Sequence, residues 1–124
     1  MKDFRRLKVW EKAHCLTLKI YRVTTRFPRE EMYGLTSQMR RCSSSMGANI
    51  AEGCGKSGNN ELHRFLQMAS GSASELDYHL LLARDLNYLA EADHVRIEKS
   101  LLEVRRMLTA LIQEVGADRF TANR

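Results

Sequence analysis

The sequence predicts an all-α protein, an antiparallel up-down-up-down four-helix bundle, and three observations carry that prediction. Apolar residues recur at alternating spacings of four and three in four separate stretches, the pattern of a helix that buries one stripe in coiled-coil-like packing. One Pro and seven Gly are too few breakers for a chain of many short strands. The connections between the stretches are short, which makes successive helices antiparallel neighbours. With 124 residues there is room for one domain and not two.

The first stripe is Val9, Ala13, Leu16, Ile20, Val23 and Phe27, on a helix of about residues 6–26. Pro28 stops it by removing a donor and disfavouring helix at the residue before it. The second, Leu35, Met39, Cys42, Met46 and Ile50, gives a helix over about 35–52. The glycine-rich run Gly53-Cys54-Gly55-Lys56-Ser57-Gly58 is read as its stop and a flexible turn. Leu62, Leu66, Ala69, Ala73, Leu76, Leu80 and Ala83 set a third helix over about 60–87, capped by Asn59 or Asn60 and ended by a left-handed Asn87. The fourth stripe, Ile97, Leu101, Val104, Leu108, Leu111 and Val115, predicts a helix over about 91–115. Gly116 is read as its end, with a frayed tail beyond.

Two runs of small residues stand out. Ala69-Ser70-Gly71-Ser72-Ala73-Ser74 on the third helix and Ser43-Ser44-Ser45 with Gly47-Ala48 on the second are read as facing one another and letting the two helices approach closely. Outside the stripes, Trp10, Tyr21 and Leu81 remain as apolar residues that the core does not claim, and are assigned to an interface between copies of the chain.

Motifs that carry chemistry are mostly absent. There is no Gly-x-Ser-x-Gly turn, P-loop or dinucleotide fingerprint, and the Gly53–Gly58 run is read as a hinge. A di-iron bundle site needs two Glu-x-x-His pairs, and the sequence has none. Glu75 and His79 share a helix face, but one such pair holds a metal poorly; His14, His63 and His94 lack ligand spacing. No metal and no cofactor are therefore expected, nor an enzyme. Cys15, Cys42 and Cys54 form neither an even disulfide set nor a Cys-x-x-Cys pair, and no apolar run approaches the roughly 20 residues of a membrane span; no leader is expected, and the chain is expected to be cytoplasmic, with no membrane partner. Arg41 and Glu75 flank the seams of the second and third helices and are expected to form a structural ion pair between them.

Charge is more informative. The net charge is +5, unevenly spread: residues 1–60 carry 12 Lys and Arg against 5 Asp and Glu, and residues 61–124 carry 8 against 10. Arg5, Lys8, Lys12, Lys19, Arg22 and Arg26 follow one another at helical spacing and make a basic stripe on the first helix, an electrostatic footprint for a phosphate backbone. Such a stripe carries no base code. The competing reading is a scaffold whose basic face meets an acidic protein.

The segments Val9-Trp10-x-x-Ala13, Phe27-Pro28, Tyr33-Gly34-Leu35-Thr36-Ser37-Gln38-Met39-Arg40-Arg41, Asn49-Ile50-Ala51-Glu52-Gly53, Phe65-Leu66, Gly71-Ser72-Ala73-x-Glu75-Leu76 and Asn87-Tyr88-Leu89 together resemble the 23S rRNA intervening-sequence proteins over about residues 4–115. The resemblance implies a bacterial four-helix protomer in a ring-like homopentamer, with no established enzymatic activity. A related branch, the accessory variability determinant proteins of diversity-generating retroelements, implies RNA or DNA and a reverse transcriptase as partners. The chain departs from the family pattern at Cys42-Ser43, where two alanines are usual, and at Gly47, where Pro is frequent. The expectation is thus a basic oligomeric module that binds structured RNA or an RNA:DNA hybrid, as an accessory to a reverse transcriptase in one variant of that reading.

Overall fold

A computed structural model describes the backbone of residues 3–122 and the side chains through Ala117. Four helices make up the fold: α1 (Lys8–Thr24), α2 (Leu35–Gly55), α3 (Asn59–Asp85) and α4 (Glu91–Ala122). Short 3-10 turns precede α1 (Phe4–Arg6) and α2 (Arg29–Glu31), and the described residues contain no strand. Helix α1 packs on α2 and α4, and α3 on α2 and α4, so the four enclose one core.

The periodic stripes are that core. Val9, Ala13, Leu16, Ile20, Val23 and Phe27 are all buried, as are Leu35, Met39, Cys42, Met46 and Ile50. Leu66, Ala69, Ala73, Leu76, Leu80 and Ala83 join them from α3, and Ile97, Leu101, Val104, Leu108 and Val115 from α4. Leu62 and Leu111 pack at the margin, half-buried. Each fully buried Leu or Ile contributes about 1.5–3 kcal/mol relative to an exposed one, so helices that are individually marginal in water hold one another in place.

Polar side chains fix the ends. Thr24 Oγ1 donates to Ile20 O at 2.7 Å and accepts from Arg40 Nε at 2.9 Å, while Arg40 Nη2 reaches Tyr21 O. A guanidinium from α2 thereby satisfies the carbonyl end of α1, where the helix dipole favours a cation. Glu31 does the converse for α2: Oε1 accepts from Leu35 N at 3.0 Å, and Oε2 accepts from Tyr88 Oη at 3.0 Å. That second bond ties the entry of α2 to the α3–α4 turn and, with Glu31's charge, raises the Tyr88 hydroxyl's pKa above its usual value. Asn87 takes the expected left-handed conformation, φ 63°. Tyr88 N bonds to Ala83 O and Asn87 N to Arg84 O, both at 2.9 Å, the paired closure of a Schellman stop.

Several boundaries differ from the sequence reading. Helix α1 starts at Lys8, because Asp3 accepts from Arg5 N and closes a separate 3-10 turn before it. Helix α2 runs past Gly53 to Gly55: Gly53 is no stop but a contact, and a Cβ there would lie 2.9 Å from Phe65 Cβ and 3.1 Å from Leu62 Cδ1. The turn shrinks to Lys56–Gly58, with Gly58 at φ 93° preceding α3 in place of an Asn cap. Helix α4 continues through Gly116, which faces His63, to Ala122; one glycine costs about 1 kcal/mol in a helix and does not end it without a left-handed turn. Of the tail read as frayed, residues 123–124 lie outside those described.

The two small-residue runs do meet, through Ser45 Oγ and Ser72 Oγ 2.9 Å apart, with Ser43, Ala69 and Ala73 fully buried. Gly71 is not part of this contact: it is exposed, and a Cβ there would meet nothing within 4 Å. Two substitutions of the same kind should therefore move stability in opposite directions. In urea unfolding, Gly71→Ala should raise stability by about 0.5–1 kcal/mol, and Gly53→Ala should lower it by about 1–3 kcal/mol through overpacking against Phe65.

Candidate nucleic-acid interface

The basic residues of α1 lie along its boundary with α4. Lys12 Nζ is 3.3 Å from Glu103 Oε1, Lys19 Nζ donates to Ser100 Oγ at 3.1 Å, and Arg26 Nη2 is 3.9 Å from Asp93 Oδ2. These three sit one heptad apart and face α4. Lys8 and Arg22 are exposed and take part in no ion pair among the described residues. Arg5, off the helix on the preceding turn, pairs with Asp3 at 3.2 Å and lies over the Phe4 ring. The six cations read as one stripe thus divide: Arg5 belongs to another element, and Lys12 and, at longer range, Arg26 each face a carboxylate of α4.

Between α1 and α4 a groove of about 300 Å³ is lined by Lys19, Arg22, Val23, Arg26, Arg96 and Ile97. Val23 and Ile97 supply its apolar base, and four cations rim it. Two of these cations share a carboxylate outside the lining, Asp93, which accepts from Arg96 and faces Arg26. Exposed ion pairs of this kind contribute about 0–1 kcal/mol, so Asp93 orients the guanidiniums more than it holds the helices together. Arg96 was not among the expected residues; its seam neighbour Ile97 places it beside Arg22 and Arg26, but only the register of α4 against α1 reveals that.

A second, chemically different cleft of about 450 Å³ lies between α2 and α3, lined by polar and small residues that include Gln38, Arg41, Cys42, Ser45, Asn49, Ser72 and Glu75. The expected Arg41–Glu75 ion pair is not made among the described residues. Both side chains are exposed on the cleft, and Glu75 Oε2 lies instead 3.3 Å from His79 Nε2, one helical turn away. Asn49 is turned to its own helix, donating to Ser45 O and Oγ. Cys42 is buried at the cleft floor, where burial first and the nearby Glu75 charge second push its thiol pKa up to about 12.

The apolar residues assigned to an interface also divide. Trp10 is half-buried within its own chain: it meets Phe4 edge-on at 4.9 Å, stacks on His14 at 5.0 Å and passes over Gly47, where a Cβ would lie 3.3 Å from its Nε1. A side chain at position 47 would press on the indole edge. Tyr21 and Leu81 remain exposed, 43% and 39%, with the Arg40 guanidinium over the Tyr21 ring.

Thiol reactivity follows from these surroundings. At pH 7 the exposed Cys15 should react with a small alkylating reagent at least tenfold faster than Cys42, since the thiolate is the nucleophile; peptide mapping by mass spectrometry after timed alkylation measures it.

No helix among the described residues is long and apolar enough to cross a membrane. A search of curated proteins finds no match. The crystal structure of a protein of unknown function from the S23 ribosomal protein family of Bacteroides thetaiotaomicron superposes with a TM-score of 0.76 at 22% identity, covering 84% of this chain and 97% of that one, a shared fold. The family model described as 23S rRNA-intervening sequence protein matches residues 5–110. On that match the chain belongs to the family of 23S rRNA-intervening sequence proteins.

Proposed function

We propose that this protein is a non-enzymatic, basic, oligomeric module that binds structured RNA or an RNA:DNA hybrid along the α1–α4 groove. The observation that carries the reading is the convergence of Lys19, Arg22 and Arg26 with Arg96 around one groove. Cations rimming a groove engage phosphates and release their condensed counterions, which gives affinity without base readout. Membership of the 23S rRNA-intervening sequence protein family favours RNA as the partner.

The protomer in this reading is an antiparallel up-down-up-down bundle. Its support is the order of the cross-helix pairs: Lys12, Lys19 and Arg26 meet Glu103, Ser100 and Asp93 in turn, and Thr17 and Arg40 bond to Ser43 O and Thr24 respectively, so numbers fall along one helix as they rise along its neighbour. Copies assemble into a ring-like homopentamer through exposed apolar residues including Tyr21 and Leu81. Five chains at +5 each would carry +25, a field that attracts polyanions. An accessory role beside a reverse transcriptase is the variant of this reading that a neighbouring gene for such an enzyme would support.

Fluorescence anisotropy of labelled structured RNA, duplex DNA and heparin across a salt series tests the reading. The wild type should bind RNA more tightly than heparin at physiological salt, with affinity falling steeply as salt rises. Replacing Lys19, Arg22, Arg26 and Arg96 together by Gln should flatten the log–log salt slope by about one unit for each phosphate that is no longer engaged. An unchanged slope would remove the groove as the site, and no preference for RNA over heparin would favour an acidic protein as the partner.

A further inference from the structure

At the α2–α3 cleft, Cys42 at the edge of the core and Glu75 line the wall, with His79 one turn along α3 beside Glu75, and the basic groove uses none of the three. Cys42 from α2 and Glu75 and His79 from α3 each place a potential ligand atom within 4.8 Å of the other two. Glu75 and His79 are one helical turn apart on one face, and the small residues at the helix contact, Ser45 against Ser72, let Cys42 come up beside them. His79 Nε2 faces Glu75 Oε2 at 3.3 Å, and Nδ1 is buried with no hydrogen-bond partner among the described residues, an arrangement that is unfavourable unless something satisfies it.

We propose that Cys42, Glu75 and His79 form a three-ligand site for a zinc-class divalent metal ion, its fourth position open to the cleft. The donor set is one thiol, one imidazole and one carboxylate, a combination that suits zinc. Zinc–ligand bonds of about 2.0–2.3 Å put tetrahedral donors about 3.3–3.8 Å apart, so the trio needs side-chain adjustments of an ångström or so and no movement of the helices. On binding, the Cys42 thiol proton leaves to solvent and the sulfur bonds the metal as thiolate. Thiolate, carboxylate and a divalent cation then sum to zero charge with a neutral imidazole, which offsets the penalty of holding a thiolate at a buried position beside Glu75. With three protein ligands the coordination is that of an open site, and a water from the cleft completes it.

Cobalt(II) is the probe, because thiolate-to-cobalt charge transfer absorbs in the near ultraviolet and tetrahedral cobalt absorbs strongly in the visible. The experiment is done on the full chain carrying Cys15→Ser, which removes the exposed competing thiol. One cobalt per chain should bind with both absorptions, and zinc should displace it. Cys42→Ala should abolish the charge-transfer absorption, His79→Gln should weaken cobalt binding at least tenfold, and Glu75→Gln should weaken it by a smaller factor. Circular dichroism without metal reports whether each variant folds; if Cys42→Ala does not, His79→Gln at a less buried position carries the test. A spectrum without thiolate charge transfer in the parent, or cobalt binding unchanged in His79→Gln, would overturn the proposal.

Discussion

The bundle depends on α2 and α3 lying so close that a methyl group at Gly53 would collide with Phe65. Everything else in the core is compatible with ordinary seam packing, in which Leu, Ile and Met interdigitate at helix separations of about 8–10 Å. Gly53 at one end and the Ser45–Ser72 contact further along are where this pair meets through small residues. The consequence reaches beyond stability. Two helices with small facing residues leave room at their margin, and the room is lined by longer polar side chains whose stems start outside the contact: Gln38, Arg41 and Glu75. Close packing and a polar cleft are two results of one choice of residue size.

The opposite helix pair is organised by charge. Along the α1–α4 boundary the contacts are long and exposed, Lys12 to Glu103, Lys19 to Ser100, Arg26 to Asp93, and such contacts add little to folding. What they do is hold cations at fixed heights along a groove. Stability in this fold comes from the buried stripes and the two reciprocal end contacts, Arg40 on the carbonyl end of α1 and Glu31 on the amide end of α2. The surfaces left over are therefore free to differ, one basic and the other rich in side chains that can ligate.

Most of the core is readable in the sequence, because a stripe repeating every three or four residues has only one burial solution on a helix; Leu62 and Leu111 reach only its margin, and Phe65 and Leu89 are buried outside the stripes. The stops are readable where chemistry is local, as at Pro28 and Asn87, and misleading where tertiary contact decides. Gly53 and Gly116 resemble terminators in sequence, yet one is a packing contact and the other sits in a continuous helix beside His63. Trp10 looks unclaimed because its partner, Gly47, has no side chain to announce itself. The site is legible only in part. Lys19, Arg22 and Arg26 follow from spacing within one helix, whereas Arg96 and the meeting of Cys42 with Glu75 and His79 depend on the register between helices, which no single-helix pattern encodes. Arg41 and Glu75 do lie on neighbouring margins, but a carboxylate beside a histidine one turn away has a nearer partner than an arginine across the cleft.

The central claim, that the α1–α4 groove is where nucleic acid lies, is tested most directly by ultraviolet crosslinking of the protein to a structured RNA, followed by mass spectrometry of the linked peptides. Crosslinks should concentrate on the peptides that contain Lys19, Arg22, Arg26 and Arg96. Crosslinks concentrated instead on the α2–α3 face, or spread evenly over all exposed lysines and arginines, would contradict it.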